Sequence, residues 1–241
     1  MNTKNNHLVA GMGEIGKPLF KILSEVFETG NFDQLGSSFN PNEKYNVLHI
    51  CYGYRPGEEE EFRISVTDYQ KRFLKEGGIT VIHSSVGIGT SRSLNAVHSP
   101  VRGQHPNLEG GLRTFTKYVS GDRAGEVAEM FRRAGLTTYV FNDQETTELG
   151  KISETTFYAL MIEYVKDLKR ECDERGLSFT EVYTEQARAY TEGWKKMGHP
   201  EYCMPLLVPI LQPQGGHCTI PNARLWENDY TDLILKKNEK N

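Results

Sequence analysis

Gly11-Met12-Gly13-Glu14-Ile15-Gly16 is a G-x-G-x-x-G run that follows the apolar Leu8-Val9-Ala10 and opens a helical pattern. The spacing suits phosphate binding. The first glycine permits a tight turn, the second lets the backbone approach a pyrophosphate, and the third lets helix and strand pack closely. Free N–H groups and the helix dipole then hold the anion. An acidic residue about 20 positions on usually takes the ribose hydroxyls. Asp33 stands at that distance, and no arginine follows closely to hold a 2′-phosphate, which favours NAD over NADP. Asp33 reads equally well as a turn residue after Asn31.

Two further stretches carry chemistry. Val81-Ile82-His83-Ser84-Ser85-Val86-Gly87-Ile88-Gly89-Thr90 ends a strand pattern in hydroxyl residues and glycines, at the carboxyl end where ligands of such sheets sit. His98-Ser99-Pro100-Val101-Arg102-Gly103-Gln104-His105-Pro106 follows. The Arg102 guanidinium can fork a carboxylate or phosphate, or it is an exposed loop arginine. His98 and His105 can serve as acid/base groups, but a structural hydrogen-bonding role is the better reading of each. Glu58-Glu59-Glu60-Glu61 reads as a solvated helix start favoured by the dipole.

The elements that must position these residues alternate along the first part of the chain. Leu19, Ile22, Leu23, Val26 and Phe27 repeat at helical spacing after the glycine turn. Val47-Leu48-His49-Ile50-Cys51-Tyr52 is a buried-strand run that Gly53 ends. Glu58 to Lys75 reads as a helix; Ile79–His83, Asn95–His98 and Thr137–Phe141 read as strands. Strand and helix alternating in this way predict a doubly wound, mainly parallel α/β sheet over residues 1–142. Its second strand, within 24–40, is expected to be short and polar. From 143 to 241 the pattern becomes α-helical. A long helix over 147–175 has Leu149, Ile152, Leu160, Met161, Tyr164, Val165, Leu168 and Cys172 near one stripe, with Gly176 as its stop. A second helix over 179–197, a proline-rich irregular stretch to Asn222 and a short polar tail complete the chain.

Composition limits the possibilities. The 241 residues, 37% hydrophobic and 25% charged with 23 glycines, can bury a real core and are neither disordered, collagenous nor a disulfide framework. A formal net charge of −4 argues against nucleic acid or an anionic membrane as partner. No apolar run is long enough to span a bilayer, and the first residues lack the apolar core of a signal peptide. Cys51, Cys172, Cys203 and Cys218 are scattered, as in reduced cytoplasmic proteins.

Together these motifs resemble the 6-phosphogluconate dehydrogenase-like superfamily. Pro100-Val101-x-Gly103 matches the substrate loop of its β-hydroxyacid dehydrogenase branch, with Arg102 in place of a serine and Gln104 in place of a second glycine. Ser84-Ser85-Val86-x-x-Gly89-Thr90 and Gly215-Gly216-His217-Cys218 are similar to segments of its nucleotide-sugar dehydrogenase branch. The resemblance implies a Rossmann-type domain followed by an α-helical domain for substrate and dimerisation. It implies an NAD- or NADP-dependent dehydrogenase or reductase of small CH–OH substrates.

The roles it implies can be named. Gly11, Met12, Gly13, Glu14, Ile15, Gly16, Asp33, Tyr52, Ser84 and Ser85 would bind cofactor. Pro100, Arg102, Gly103, His217 and Asn222 would bind substrate. Lys151 would be catalytic; without the resemblance it reads as a surface lysine paired with Glu148 or Glu154. The family has an asparagine one turn after that lysine, where Thr155 stands here, so Thr155 takes the assisting role. Cys218 would attack an aldehyde intermediate in a second oxidation, or else be a bystander or a small buried hydrophobe. The family's aspartate four residues after the cysteine is Asn222 here, and its third, nucleotide-binding domain is not in the chain. A non-catalytic dinucleotide-binding protein is the alternative from another class. Zinc on His199, Cys203, His217 and Cys218 is disfavoured because the spacing is wrong and neighbouring side chains rarely share one ion.

Overall fold

The computed structural model describes residues 6–33, 36–104, 106–216 and 218–239. The first part runs β1 (Asn6–Ala10), α1 (Gly16–Ser24), β2 (Glu28–Phe32), β3 (Tyr45–Ile50), α2 (Glu59–Phe73), β4 (Leu74–Ile82), α3 (Thr90–Ser93) and β5 (Val97–His98). It continues through α4 (Leu108–Thr114), β6 (Lys117–Ser120), α5 (Ala124–Arg133) and β7 (Thr138–Phe141). The strands form one sheet in the order β2-β1-β3-β4-β5-β6-β7. Every pairing is parallel except β5 with β6. This is the expected doubly wound architecture. As expected, β2 is short and polar; it lies at the sheet edge, where no second neighbour demands an apolar side chain.

Alternation along the strands divides the core in two. Val9, Val47, Val81 and Val119 face one side, against Leu19, Ile22, Val127 and Phe131. Leu8, Leu48, Ile50 and Ile82 face the other, against Phe62, Val66 and Phe73. Neither face is solvated, as parallel sheets require. Two elements depart from the sequence reading. Strand β6 went unread because its four residues, Lys-Tyr-Val-Ser, begin with a charged side chain that is nevertheless buried. β4 begins at Leu74 rather than near Ile79, since a register shift opposite Tyr45 and Val47 absorbs the turn at Gly77.

One polar line crosses the first face. His7 Nδ1 lies 2.9 Å from His49 Nε2, and His49 Nδ1 lies 3.0 Å from His83 Nε2. His83 Nδ1 lies 3.0 Å from the carbonyl of Ser99. A carbonyl only accepts, so His83 carries its proton on Nδ1, and each ring in turn must do the same. The row ends at His7 Nε2, an acceptor with no hydrogen-bond partner. Burial pushes His7 down to about 4 and holds His49 and His83 well below the ordinary histidine value.

The second part holds α6 (Gln144–Arg175), a π-helical turn (Thr180–Glu185), α7 (Gln186–Lys196), a 3₁₀ turn (Pro200–Tyr202), α8 (Thr219–Ala223) and α9 (Asp229–Asn238). The chain divides into compact units Met1–Ser153 and Glu154–Asn241, inside α6. The sequence pattern changes earlier, at 142, but the first turns of α6 are bonded to the sheet unit through Thr147 and Glu148. α9 stands where a polar tail was expected. Its start is fixed by a capping box, Asn228 with Thr231, and apolar residues such as Leu233 and Ile234 are too few to give a helical period. The stripe expected on α6 is also corrected: Leu149 and Tyr164 are exposed, whereas Thr156, Glu163 and Lys166 are buried. Glu163 accepts from Lys166 Nζ at 2.9 Å and Gln214 Nε2 at 2.8 Å, so this polar face is bonded internally.

The buried histidines predict acid lability. Their folded-state values lie below the unfolded one, so the unfolded chain takes up protons first and stability falls as pH drops from 6.5 towards 4. Each tenfold loss of proton affinity on folding is worth about 1.4 kcal/mol, so the combined loss is several kcal/mol. Thermal melts at pH 7.0 and 5.0 should therefore differ by several degrees; equal melting temperatures would contradict the neutral row.

Candidate functional site

The glycine turn lies between the carboxyl end of β1 and the start of α1. Gly11 has φ +91°, and a Cβ there would stand 2.9 Å from Tyr52 N. A Cβ on Gly16 would come within 1.7 Å of the Gly11 carbonyl oxygen, which is how closely helix and turn approach. A Cβ on Gly13 would meet nothing within 4 Å. Ile15 caps α1 without a side-chain hydrogen bond. Met12, Glu14 and Ile15 complete this open loop. The Met12 N–H donates to Asp33 Oδ2 at 2.6 Å, so the acidic residue after β2 is tied to the turn.

Beside the turn is a cleft of about 460 Å³ lined by Gly11, Phe32, Asp33, Tyr52, Gly53 and Tyr69. It lies where the chain leaves β1 for β2 on one side and β3 on the other, the switch point at which open α/β sheets take ligands. Tyr52 is held by its hydroxyl on Ser65 Oγ at 2.8 Å and by its carbonyl, which accepts from Ser84 Oγ at 2.5 Å. The cleft offers aromatic faces and a carboxylate, and the open turn offers N–H groups and space, which together fit a dinucleotide.

Beyond the ends of β4 and β5 lies a second group. His98 is fully buried, with Nδ1 on Thr147 Oγ1 at 2.7 Å and Nε2 donating to the Ser84 carbonyl at 3.1 Å. Burial pushes it down to about 4, so it is the structural histidine the sequence suggested. Ser85, the residue after Ser84, is half-buried. Ser99 and Pro100 lead into Arg102, whose guanidinium lies 4.2 Å over the Tyr118 ring. Gly103 has φ +153° and packs backbone to backbone on Gly111, where a Cβ would come 2.5 Å from Gly103 Cα.

Lys151 is half-buried on α6. Its helix is set by Glu148, whose oxygens accept the Gly89 N–H at 2.6 Å and the Ser91 N–H at 2.8 Å. Lys117, absent from the sequence reading, is buried beneath the loop. Burial pushes its ammonium down to about 7, Cys51 opposes that shift, and the charges of Arg102 and Lys151 add to it. Arg102 and Lys151, far apart in sequence, are thus brought within electrostatic reach of one lysine. Three cations in one region suit an anionic ligand.

In the second unit Asn222 Nδ2 donates to Thr155 Oγ1 at 3.2 Å, and both side chains are buried. Two of the four positions at which the sequence departs from the motifs it resembles are therefore in contact. Cys218 is half-buried and precedes α8, its carbonyl accepting the Asn222 N–H at 3.0 Å. His105 and His217 lie outside the described residues. Among the described residues no group of three His, Cys, Asp or Glu could hold a metal ion, and no helix is long and apolar enough to cross a membrane.

No protein-family model matches the chain, and no curated protein does. Solved structures do match. A UDP-D-ManNAc dehydrogenase from Pyrococcus horikoshii superposes with TM-score 0.76 at 16% identity, over 98% of this chain and 68% of that one. An NDP-N-acetyl-D-galactosaminuronic acid dehydrogenase from Methanosarcina mazei gives 0.72 at 16%, over 99% and 66%. The 3-hydroxyisobutyrate dehydrogenase of Mycobacterium tuberculosis gives 0.70 at 12%, over 99% and 94%. The fold is therefore the Rossmann-type α/β sheet with an appended helical domain that these dehydrogenases share. This chain spans about two thirds of the length of the two sugar-nucleotide enzymes.

The two inner glycines of the turn should respond differently to the same methyl group. Gly16→Ala should cost about 2–4 kcal/mol, because the Cβ strikes backbone oxygen. Gly13→Ala should leave the melting temperature within a degree or two; a large drop would mean that Gly13 is packed rather than open.

Proposed function

We propose that this chain is an NAD(P)-dependent oxidoreductase acting on the CH–OH group of a small substrate that carries an anionic group. The carrying observation is the open glycine turn at the switch point, with Arg102 and Lys151 converging on the ends of β4 and β5. The matching dehydrogenases support the same class. Bound dinucleotide would supply a hydride acceptor, once for a two-electron reaction and twice for a four-electron one. Met12 to Gly16 would hold its pyrophosphate, Asp33 the ribose hydroxyls, and Tyr52, Ser84 and Ser85 the ring side. The carboxylate of Asp33 repels a 2′-phosphate, which favours NAD.

Arg102 would fork the substrate anion, and Pro100 and Gly103 would shape its loop. Lys151 would take the alcohol proton as hydride leaves carbon. By the family resemblance, Thr155, Asn222 and His217, the last adjoining Cys218 in sequence, would contribute to substrate binding. Where the substrate is a primary alcohol, as on a sugar derivative, the Cys218 thiolate would add to the aldehyde carbon. After loss of a second hydride, water would cleave the resulting thioester to the acid and restore the thiol.

Titration with NADH and NADPH separately tests the reading at its base. Saturable binding of one form is expected, weakened roughly tenfold by Gly13→Ala, equivalent to about 1.4 kcal/mol. No binding of either by folded protein would overturn it and leave the turn a structural one. With a substrate in hand, Lys151→Ala should lower kcat roughly 10²–10⁴-fold. Cys218→Ser should stop acid formation and release aldehyde; unchanged turnover would establish a two-electron enzyme in which Cys218 is a bystander.

The scattered cysteines support a cytoplasmic protein, and the helical unit supports a homodimer. Its buried apolar cluster is small, centred on Val165, Tyr183 and Ala187, while Phe157, Tyr164, Met197, Val208 and Ile210 are exposed. Such apolar surface is what a second copy would cover. Sedimentation that finds only monomer at micromolar concentration would remove the dimer.

A further inference from the structure

Lys117 opens β6 and points into the face of the sheet that carries the histidine row. Its Nζ donates to the carbonyl of Ser99 at 2.9 Å and to that of Pro100 at 3.4 Å, and it lies 5.2 Å from the centre of the Phe131 ring. The Ser99 carbonyl thus takes two donors, Lys117 from β6 and His83 from the end of β4. The rest of Ser99 is tied as firmly. Its N–H donates to the Ile82 carbonyl at 2.8 Å, and its Oγ donates to the Tyr118 carbonyl at 2.8 Å. Two residues after Pro100 comes Arg102, spread over Tyr118, the neighbour of Lys117 on β6. One strand therefore holds the loop from beneath and seats its guanidinium from the side.

We propose that Lys117 is a positioning residue that clamps the Ser99–Gly103 loop through main-chain carbonyls, most tightly when it is protonated, and so sets Arg102 for an anionic ligand. An ammonium–carbonyl bond is charge-assisted, roughly twice as strong as that of a neutral amine. The charged and titratable groups facing Lys117 are Cys51 after β3, His49 on β3, His83 after β4, His98 on β5, Arg102 on the loop and Lys151 on α6. The three histidines are held neutral by burial, and Cys51, pushed up to about 12, is a thiol. The cations Arg102 and Lys151 make protonation harder, and an anion bound between them would make it easier. With burial as the larger cause, Lys117 titrates at about 7, within the range where the clamp can be switched.

The role of the loop rests on the oxidoreductase reading; the clamp itself does not. Hydrogen exchange of the amides of Ser99 and Val101–Gln104 tests it, followed from pH 6 to 8 and corrected for intrinsic base catalysis. Protection is expected to fall about tenfold through a single titration near pH 7, while amides of β1 and β3 stay unchanged. The Lys117 Cε resonance in lysine-labelled protein should titrate over the same interval. Lys117→Met, which removes a buried charge at little cost in volume, should give low, pH-independent protection in the loop with the strands still protected. If that variant does not fold, Lys117→Gln and the wild-type profile carry the test. Flat wild-type protection between pH 6 and 8, or a loop in Lys117→Met as protected as wild type, would falsify the clamp. NADH titrated into the same samples separates the two ideas. Failure to bind removes the oxidoreductase reading and leaves the exchange result standing.

Discussion

The first unit depends on one backbone approach, that of α1 against the turn which ends β1. A side chain at Gly16 would overlap the Gly11 carbonyl, so only glycine lets the helix begin there. Starting there, α1 lays Leu19, Ile22 and Leu23 on the valine face of the sheet, while the Lys17 N–H donates back to the Gly13 carbonyl at 3.1 Å. The turn is held from the other side by Asp33 on the Met12 N–H and by Tyr52, whose own backbone receives Ser84. The cleft is therefore built from the ends of β1, β2 and β3 and from α2, with Ser84 after β4 bracing Tyr52.

A second constraint is electrostatic. The face that packs under α1 and α5 carries His7, His49, His83 and Lys117 among its valines, and no hydrocarbon core tolerates such groups unless their hydrogen bonds close. All but His7 Nε2 are satisfied along a row that ends on the Ser99 carbonyl, which orients every ring and receives the lysine as well. The sheet interior and the Arg102 loop consequently share one acceptor atom. Burial keeps the histidines neutral, so the positive charge of this region resides on Lys117, Arg102 and Lys151.

The helical unit obeys a different rule. α6 buries Thr155, Thr156, Glu163 and Lys166, which satisfy one another through Asn222 and Gln214 or leave a lone hydroxyl, while several aromatic side chains face outward. A polar seam thus shares the inner face with the buried Ile152, Ala159, Val165 and Cys172. Periodicity of apolar residues therefore located the helix and most of its inner stripe, but not the polar side chains that share that face.

The sequence by itself determined the alternation of strands and helices, the glycine turn and the acidic partner at Asp33. These follow from local stereochemistry: glycine spacing, period-2 and period-3.6 patterns, and the chain length between them. It also placed His98 in a structural role, which its two filled ring nitrogens bear out. Tertiary structure alone decided what depends on distant residues meeting. It made β6 a strand despite a lysine in its inward position, because two carbonyls from β5's loop receive the charge. It brought Arg102 and Lys151 within reach of that lysine, and Thr155 onto Asn222. No pattern along the chain encodes those meetings, since the energy of a buried polar group is fixed by its partners rather than by its neighbours in sequence.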